Sequence, residues 1–255
     1  MAGRTYKTEA VVLRSLRLGE ADRILHLYTL DRGRIGAVAK GIRRTKSRYG
    51  ARLEPLSHVE VLLHQGSGEL QTVTGVDLVR SHHGAREDPH RLGVGLIGLE
   101  AMLRLYTEQE ANARAFEALT RFLDLLDDAA SGTTAPPDGG ARVSLDPLAL
   151  SFQLKLLWLS GYLPHLGSCA ECGAADATGG FSPKSGGAVC RECARSLTAL
   201  SLSPEGLAGI DALLRRPLAD AYSAELSPRA RRDALAAVTS LYEYHGGFRL
   251  RTLSA

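Results

Sequence analysis

Four cysteines stand in two close pairs and carry the clearest chemistry of this chain. The pairs are Cys169-x2-Cys172 and Cys190-x2-Cys193, with seventeen residues between them. This is the spacing of a zinc ribbon, in which each pair supplies two thiolates to one edge of a tetrahedron. Four thiolates close the coordination sphere, so the pattern predicts one structural Zn²⁺ per chain and no open position for a substrate.

The segment between the pairs, GAADATGGFSPKSGGAV, is rich in glycine and has few side chains that form a core. Such a segment buries too little apolar surface to order itself, so we expect metal binding to supply its folding energy. Gly173 gives the first turn the freedom to point backbone N–H groups at sulfur. Two disulfides or buried thiols are the alternatives. The lack of a fifth cysteine and of a signal sequence favours a reducing compartment, and therefore zinc.

A basic segment is the second feature with chemistry. Residues 1–80 contain 14 Lys and Arg against 8 Asp and Glu, although the whole chain has a net charge of only +3. Residues 32–53 contain no carboxylate, and their cations are the candidate DNA contacts: Arg32, Arg34, Lys40, Arg43, Arg44, Lys46, Arg48 and Arg52. Cations that contact phosphates bind strongly in low salt and almost without regard to base sequence. A solvated charged loop is the alternative.

Catalytic motifs fail on inspection. The tripeptide HVE at residues 58–60 matches half of a nucleobase deaminase motif, but neither cysteine pair follows a proline, as the other half requires. Residues 93–98, GVGLIG, match a dinucleotide fingerprint in letters, yet they follow Asp88-Pro89 and not a strand, which predicts a helix. Residues 36–41 lack the Lys-Ser/Thr that completes a phosphate loop. The sequence therefore favours a binding protein over an enzyme.

Short β-type runs and turn sequences surround the basic segment. Candidate strands are residues 8–18, 23–29, 34–40, 58–64 and 69–79. Five strands in about 75 residues suit a small closed barrel of the OB type, whose grooves hold single strands by cationic contacts and aromatic stacking. The basic segment would then be a long exposed loop. Tyr28 and Tyr49 are the candidate stacking rings.

Beyond residue 82 the apolar spacing becomes helical. Helices are expected across residues 92–106, 116–126, 150–158, 204–215 and 228–244, with Gly161 as a C-terminal cap. Ser or Asp followed by Pro, at residues 88, 146, 203 and 227, marks four helix starts. Residues 129–143 are predicted to be a loop. The longest nearly apolar run, residues 92–99, is far shorter than the ~20 residues of a membrane span, so we expect a soluble cytoplasmic protein.

Four stretches make the chain similar to a known family. They are GEADRILHLYTLDRGRIGAVAKGIRRTKS at residues 19–47, flanked by KTEAVVLRS and LEPL, and FQLKLLWLSGYLPHLGSCAECG at residues 152–173. They resemble the RecO family of bacterial recombination-repair mediators over nearly the whole length.

The resemblance implies an α+β fold: a five-stranded OB-fold β-barrel at residues 1–80, then an α-helical domain at 81–168 and 196–255 with an inserted four-cysteine zinc-finger-like module at 169–195. It implies a nucleoid-associated protein that is not an enzyme. Such a protein binds single- and double-stranded DNA, anneals complementary strands and works with RecR, in some bacteria with RecF. It helps RecA load onto DNA coated by single-strand-binding protein, whose C-terminal tail it contacts.

No motif locates that tail contact. The tail is acidic with an apolar end, so we expect it on the helical domain, with Arg104, Arg121 and Lys155 as a cationic rim. Two other functions stay open: a zinc-dependent nucleic-acid-processing enzyme, and a zinc-ribbon transcription or RNA-binding factor.

Overall fold

A computed structural model describes residues 4–44, 47, 49–106, 110–128 and 142–253. The chain forms two compact units, residues 1–128 and 129–255. The first holds a barrel and helices and the second is mostly helical, which confirms the predicted α+β class. Among the described residues, no helix has both the length and the apolar character needed to cross a bilayer.

The first unit begins with a closed barrel of five strands. They are β1 (Arg4–Leu18), β2 (Asp22–Thr29), β3 (Gly33–Ala39), β4 (His58–Gln65) and β5 (Gln71–Arg80), in the order β1-β2-β3-β5-β4. Neighbouring strands are antiparallel, except that β3 and β5 are parallel and pair only through Ala37 and Val38 of β3. This is the predicted barrel. Because β3 and β5 pair at only two positions, most of the β5 edge on the side of β3 has no strand partner among the described residues.

Alternate residues of the strands fill the barrel. Leu25 and Leu27 on β2, and Ile35 and Ala37 on β3, are buried in its core. Their neighbours along each strand therefore point outward, because successive side chains of a strand lie on opposite faces. This alternation decides which residues reach the surface of the barrel.

The segment between β3 and β4 enters the barrel core. Ile42, Tyr49 and Leu53 are buried there, and a short 3₁₀ helix spans Gly50–Leu53. The prediction of a long exposed loop is therefore wrong for these residues: their apolar side chains are taken from water to close the barrel.

Three helices belong to the first unit: α1 (His83–Glu87), α2 (Pro89–Leu105) and α3 (Ala113–Asp128). The buried His82 ring links β5 to them, with Nδ1 2.7 Å from the Leu56 carbonyl oxygen and Nε2 3.0 Å from the Asp124 carboxylate. The sequence-based division grouped residues 81–128 with the later helices, whereas contacts group them with the barrel.

The GVGLIG segment lies inside α2, as predicted. Asp88 caps this helix by accepting a hydrogen bond from the Arg91 backbone N–H. A side chain at Gly95 would place its Cβ 2.9 Å from a Leu56 methyl group. The glycine thus serves close packing of α2, and the segment is not preceded by the strand that a dinucleotide site requires.

The second unit contains helices and a small hairpin. Its elements are α4 (Pro147–Leu159), β6 (Gly180–Ser182), β7 (Gly187–Val189), α5 (Arg191–Leu197), α6 (Pro204–Arg215) and α7 (Pro228–Leu241). The predicted caps at Asp146, Ser203 and Ser227 each accept backbone hydrogen bonds. Gly161, with φ of +87°, ends α4 as predicted, its N–H donating to the Trp158 carbonyl oxygen.

Candidate nucleic-acid interface and metal centre

The four cysteine sulfurs come together in the second unit. All four Sγ atoms lie within 4.8 Å of one another, and those of Cys172 and Cys190 are 3.9 Å apart. A tetrahedral Zn²⁺ with bonds of about 2.3 Å needs sulfur–sulfur distances of about 3.8 Å. None of the four thiols is in a disulfide. The cluster therefore has the size and donor set to hold one metal ion.

A turn and a hairpin position these thiols. Gly173, with φ of +79°, closes the first cysteine turn by donating its N–H to the Cys169 carbonyl oxygen. The second pair follows β7, and the Cys190 sulfur caps α5 by accepting from the Cys193 N–H at 3.5 Å. Phe181 on β6 is fully buried and gives this small module a core.

Backbone amides favour the thiolate at Cys169. N–H groups of Cys172 and Cys190 point at its sulfur and lower the pKa of the Cys169 thiol to about 6. The adjacent Cys190 sulfur instead raises the pKa of the Cys193 thiol. Four sulfurs this close cannot all ionise without a counter-charge, and a divalent cation supplies one.

Cations of the first unit gather at the β1–β2 turn. Lys40, Arg43 and Arg44 are exposed just beyond the end of β3. The Arg43 guanidinium donates to the Glu20 carbonyl oxygen at 2.9 Å, and its backbone N–H donates to the Ala21 carbonyl oxygen. The part of the basic segment that directly follows β3 is therefore fixed against the turn, with Lys40, Arg43 and Arg44 exposed. We call this end of the barrel the cationic end.

Strand pairing adds two cations that the sequence analysis missed. Arg14 and Arg17 are exposed near the end of β1, opposite His26 and Arg23 of β2. Because β2 also pairs with β3, Arg17 comes within two strand spacings of Ala39, next to Lys40. A hairpin register drawn across the short turn could have found them, since the turn fixes which residues face each other.

Other predicted contacts lie elsewhere, and Lys46 and Arg48 fall outside the described residues. Arg32 is at the opposite end of β2 and β3, its guanidinium 3.9 Å from the centre of the Tyr6 ring. Arg34 donates to the Leu103 carbonyl oxygen of α2 at 2.7 Å. Arg52 donates to the Val76 carbonyl oxygen of β5 at 2.9 Å. The six described cations thus do not form one surface.

The prediction that Tyr28 and Tyr49 stack on bases is wrong, because both rings are buried. Tyr28 has no exposed surface, and its ring lies 5.3 Å from that of Tyr106. Tyr49 is 1% exposed, and its hydroxyl donates to the Val73 carbonyl oxygen at 2.8 Å. A base cannot stack on a ring that the barrel or a helix already covers.

The three cations predicted to form a rim for an acidic tail belong to two different units. Arg104 and Arg121 belong to the first unit and Lys155 to the second. The Lys155 ammonium donates to the carbonyl oxygens of Leu214 and Arg216, at 3.1 and 2.8 Å. The Lys155 ammonium is therefore held within the second unit.

The second unit has an apolar groove of about 540 Å³. It is lined by Trp158, Leu163, Pro164, His165, Leu166, Gly167, Asp211, Leu214 and Arg215. Trp158 is 50% exposed and Leu163 is 54% exposed, so the groove presents two large apolar side chains to solvent.

The chain thus combines a closed barrel of OB strand order, which has a cationic end, with helices and a cluster of four cysteines. These features define an OB-fold protein with a candidate nucleic-acid surface and a candidate metal centre. Residues 1–82 match the family model described as Recombination protein O N terminal, and residues 86–254 match Recombination protein O C terminal. The chain belongs to the RecO family, which confirms the resemblance read from the sequence.

Curated relatives agree with this assignment. DNA repair protein RecO of Rubrobacter xylanophilus is 40% identical over 223 residues, covering 86% of this chain and 84% of the relative. The protein of the same name from Streptomyces coelicolor is 35% identical over 254 residues, covering 97% of each chain. That of Anaeromyxobacter sp. strain K is 34% identical, covering 96% of this chain and 92% of the relative.

Proposed function

We propose that this protein is a DNA-binding recombination mediator that binds single- and double-stranded DNA and anneals complementary strands. The observation that carries the proposal is the cationic end of the barrel, where Arg17, Lys40, Arg43 and Arg44 are exposed around one turn and Arg14 is exposed further back on β1. Fewer carboxylates than cations lie there, and the Asp22 carboxylate already accepts a hydrogen bond from the Gly41 backbone N–H. Family membership supports a role in DNA repair and recombination.

Annealing needs no bond to be broken. Guanidinium and ammonium groups neutralise phosphates whatever the bases are. Two strands held along one cationic surface repel each other less, so complementary bases meet more often. We propose Lys46 and Arg48 as further contacts of this surface because they continue the basic segment. Arg32, Arg34 and Arg52 have protein partners and are assigned a smaller share.

The four-cysteine cluster is proposed to hold one structural Zn²⁺ through Cys169, Cys172, Cys190 and Cys193. The sulfur–sulfur spacing fits zinc, and four thiolates leave no position for water. This supports the view that the protein is not an enzyme. The metal would stabilise the module around β6 and β7.

Partners follow from the proposed role. We propose that the protein acts with RecR, and in some bacteria with RecF, to help RecA load on DNA coated by single-strand-binding protein. The apolar groove beside Trp158 is the proposed site for the acidic, apolar-ended tail of that coating protein. Arg215 at its rim is 79% exposed and pairs with Asp211, and it could turn to a tail carboxylate instead.

The test is fluorescence annealing of complementary strands coated with the cognate single-strand-binding protein. The full-length protein should accelerate annealing without turning over any substrate. The matched variant carries Arg43, Arg44, Lys46 and Arg48 replaced by Ala. The slope of log affinity against log salt should flatten by about 3–4 units, at roughly 0.7–0.9 per phosphate contact.

A control replaces Arg229 and Arg232 on α7 with Ala; both are exposed in the second unit. It should anneal like the unmodified protein. Turnover of a nucleic acid would instead indicate the enzyme alternative, and sequence-selective binding would indicate a transcription or RNA-binding factor.

A further inference from the structure

The outer face of the β1–β2–β3 sheet has a covered half. Val11 of β1, Tyr28 of β2 and Arg34 of β3 lie opposite one another across the strands. Val11 and Tyr28 have no exposed surface, and Arg34 is bonded to the Leu103 carbonyl oxygen of α2. Helix α2 therefore covers this half, which explains why its apolar residues are kept from water.

The other half of the same face carries an apolar row that stays exposed. A register shift between Val12 and Arg14 changes the phase of β1, so Leu16 points outward opposite Ile24. Ile24 in turn lies opposite Val38 of β3. Leu16 is 36% exposed, and Ile24 and Val38 are half-buried. We call Leu16, Ile24 and Val38 the aliphatic row.

Further apolar groups extend the row. Leu18, 39% exposed, follows Leu16 on the same face of β1. On the other side, Leu70 is 42% exposed and lies against Gly36, where an added Cβ would come within 2.7 Å of its methyl group. A contiguous exposed apolar patch rimmed by polar residues is typical of an interaction site.

The rim of this patch is cationic. Arg14 precedes the row on β1, and Lys40 follows it on β3. Arg43 and Arg44 lie beyond Lys40 at the β1–β2 turn, where Glu20 and Asp22 are the acidic neighbours. A partner that is apolar in its middle and anionic along its length matches this arrangement. Single-stranded nucleic acid has that chemistry, since its bases are apolar plates on a phosphate chain.

We propose that the aliphatic row Leu16, Ile24 and Val38 is a base-contact platform for single-stranded DNA, with Arg14, Lys40, Arg43 and Arg44 holding the phosphates on either side. The inference rests on the proposed function and names which part of the strand each group contacts. Three adjacent strands span roughly 10 Å, which is room for one or two bases. Apolar side chains hold unstacked bases in other nucleic-acid sites.

This platform discriminates between strand forms. In a duplex the base faces are stacked on one another and cannot reach an aliphatic side chain, whereas phosphates remain available. The row should therefore add affinity for single strands only, while the cations serve both forms. Such a division would hold single strands with their bases spread out, ready for a complementary strand.

The experiment compares two probes with the full-length protein: an oligothymidine of about 15 nucleotides, near the largest site of one OB fold, and an abasic strand of the same length. Both carry the same phosphates, but only one carries bases. The variant replaces Leu16, Ile24 and Val38 with Thr, a polar β-branched residue that strands favour. The Leu16→Thr change alone is the second variant, should the triple variant unfold.

The unmodified protein should bind oligothymidine about tenfold more tightly than the abasic strand. The triple variant should lose that preference while keeping its affinity for the abasic strand and its salt slope. Leu78→Thr, at a leucine that is 45% exposed on β5, should change neither.

If the variant keeps the preference, the row does not contact bases, although salt-dependent binding would leave the proposed function intact. Unchanged DNA binding with a loss of self-association in sedimentation would assign the row to a second copy of this chain and overturn the proposal. Absence of binding to either probe by the unmodified protein would overturn both the platform and the proposed function.

Discussion

The Tyr49 hydroxyl donates a 2.8 Å hydrogen bond to the carbonyl oxygen of Val73, joining the segment after β3 to the free edge of β5. Three residues further along, the Arg52 guanidinium donates a 2.9 Å hydrogen bond to the carbonyl oxygen of Val76. The β3 strand pairs with β5 only at Gln71 and Thr72, so Val73 and Val76 lie past the positions that β3 pairs. Side chains of the basic segment therefore complete the barrel that presents the other cations.

Replacing Tyr49 with Phe should destabilise the first unit by about 1–2 kcal/mol. The ring would still fill the core, but the Val73 carbonyl oxygen would lose its buried donor. Urea unfolding followed by circular dichroism measures the change. Tyr244→Phe, at a ring that is 53% exposed, is the control and should be neutral. DNA affinity at fixed salt should stay the same, and an equal loss in both variants would contradict this role.

Arg44 and Arg34 should give opposite results when each is replaced with Ala. Arg44 is exposed at the cationic end, so its loss should flatten the salt slope by about 0.7–0.9 with little effect on stability. Arg34 is bonded to the Leu103 carbonyl oxygen, so its loss should cost about 1.5–3 kcal/mol of stability and leave the salt slope unchanged. Titrations at several salt concentrations, paired with urea unfolding, separate the two effects. The reverse pattern would move the interface toward α2.

Zinc should be present at one ion per chain in protein purified under reducing conditions, and Cys169→Ser should remove it. Ser196→Ala is the control, because Ser196 lies beside the cluster but supplies no ligand. Without metal, the module around Phe181 should become open to proteolysis, since its own core is small. DNA binding by the first unit should persist. Elemental analysis is the measurement, and the absence of zinc from the unmodified protein would contradict the assignment.

The sequence predicted elements better than it predicted exposure. Strand runs, helix starts and the cysteine pairs depend on neighbours along the chain, which is why the cap at Asp88 and the turn at Gly173 are confirmed. Burial of Tyr28 and Tyr49 depends on α2 and on the β5 edge, which come from distant parts of the chain. Amino-acid composition does not reveal these contacts between distant residues.

In the candidate interface, too, features set by neighbouring residues are visible in the sequence, whereas contacts between distant residues are not. The basic segment is visible as a run of charge, yet the run itself cannot say that Arg34 and Arg52 are bonded to protein carbonyl groups. Arg14 and Arg17 belong to the cationic end only because of strand pairing. The register shift after Val12 also decides that Leu16 points outward. A single extra residue in a strand is hard to see from alternation alone.

The groove of the second unit gives a prediction for the tail of single-strand-binding protein. Trp158→Ala should weaken binding of an acidic tail peptide by more than about 2 kcal/mol, as expected for an aromatic anchor in an apolar groove. Fluorescence polarisation with the labelled peptide measures it. Tyr244→Ala removes a ring of similar exposure outside the groove and should bind normally. Equal binding by Trp158→Ala would place the tail elsewhere.

Cutting the chain after residue 128 should give a fragment that unfolds cooperatively, whereas cutting it after residue 82 should not. The shorter fragment keeps the barrel but loses α2 and α3, so Tyr28 would lose its cover and His82 would lose Asp124. Burial of each large apolar side chain is worth about 1.5–3 kcal/mol, so losing several exceeds the margin of a small domain. Urea unfolding of the two fragments, followed by tyrosine fluorescence, gives the comparison. A sharp transition of fragment 1–82 at the midpoint of fragment 1–128 would show that the barrel is stable without its helices.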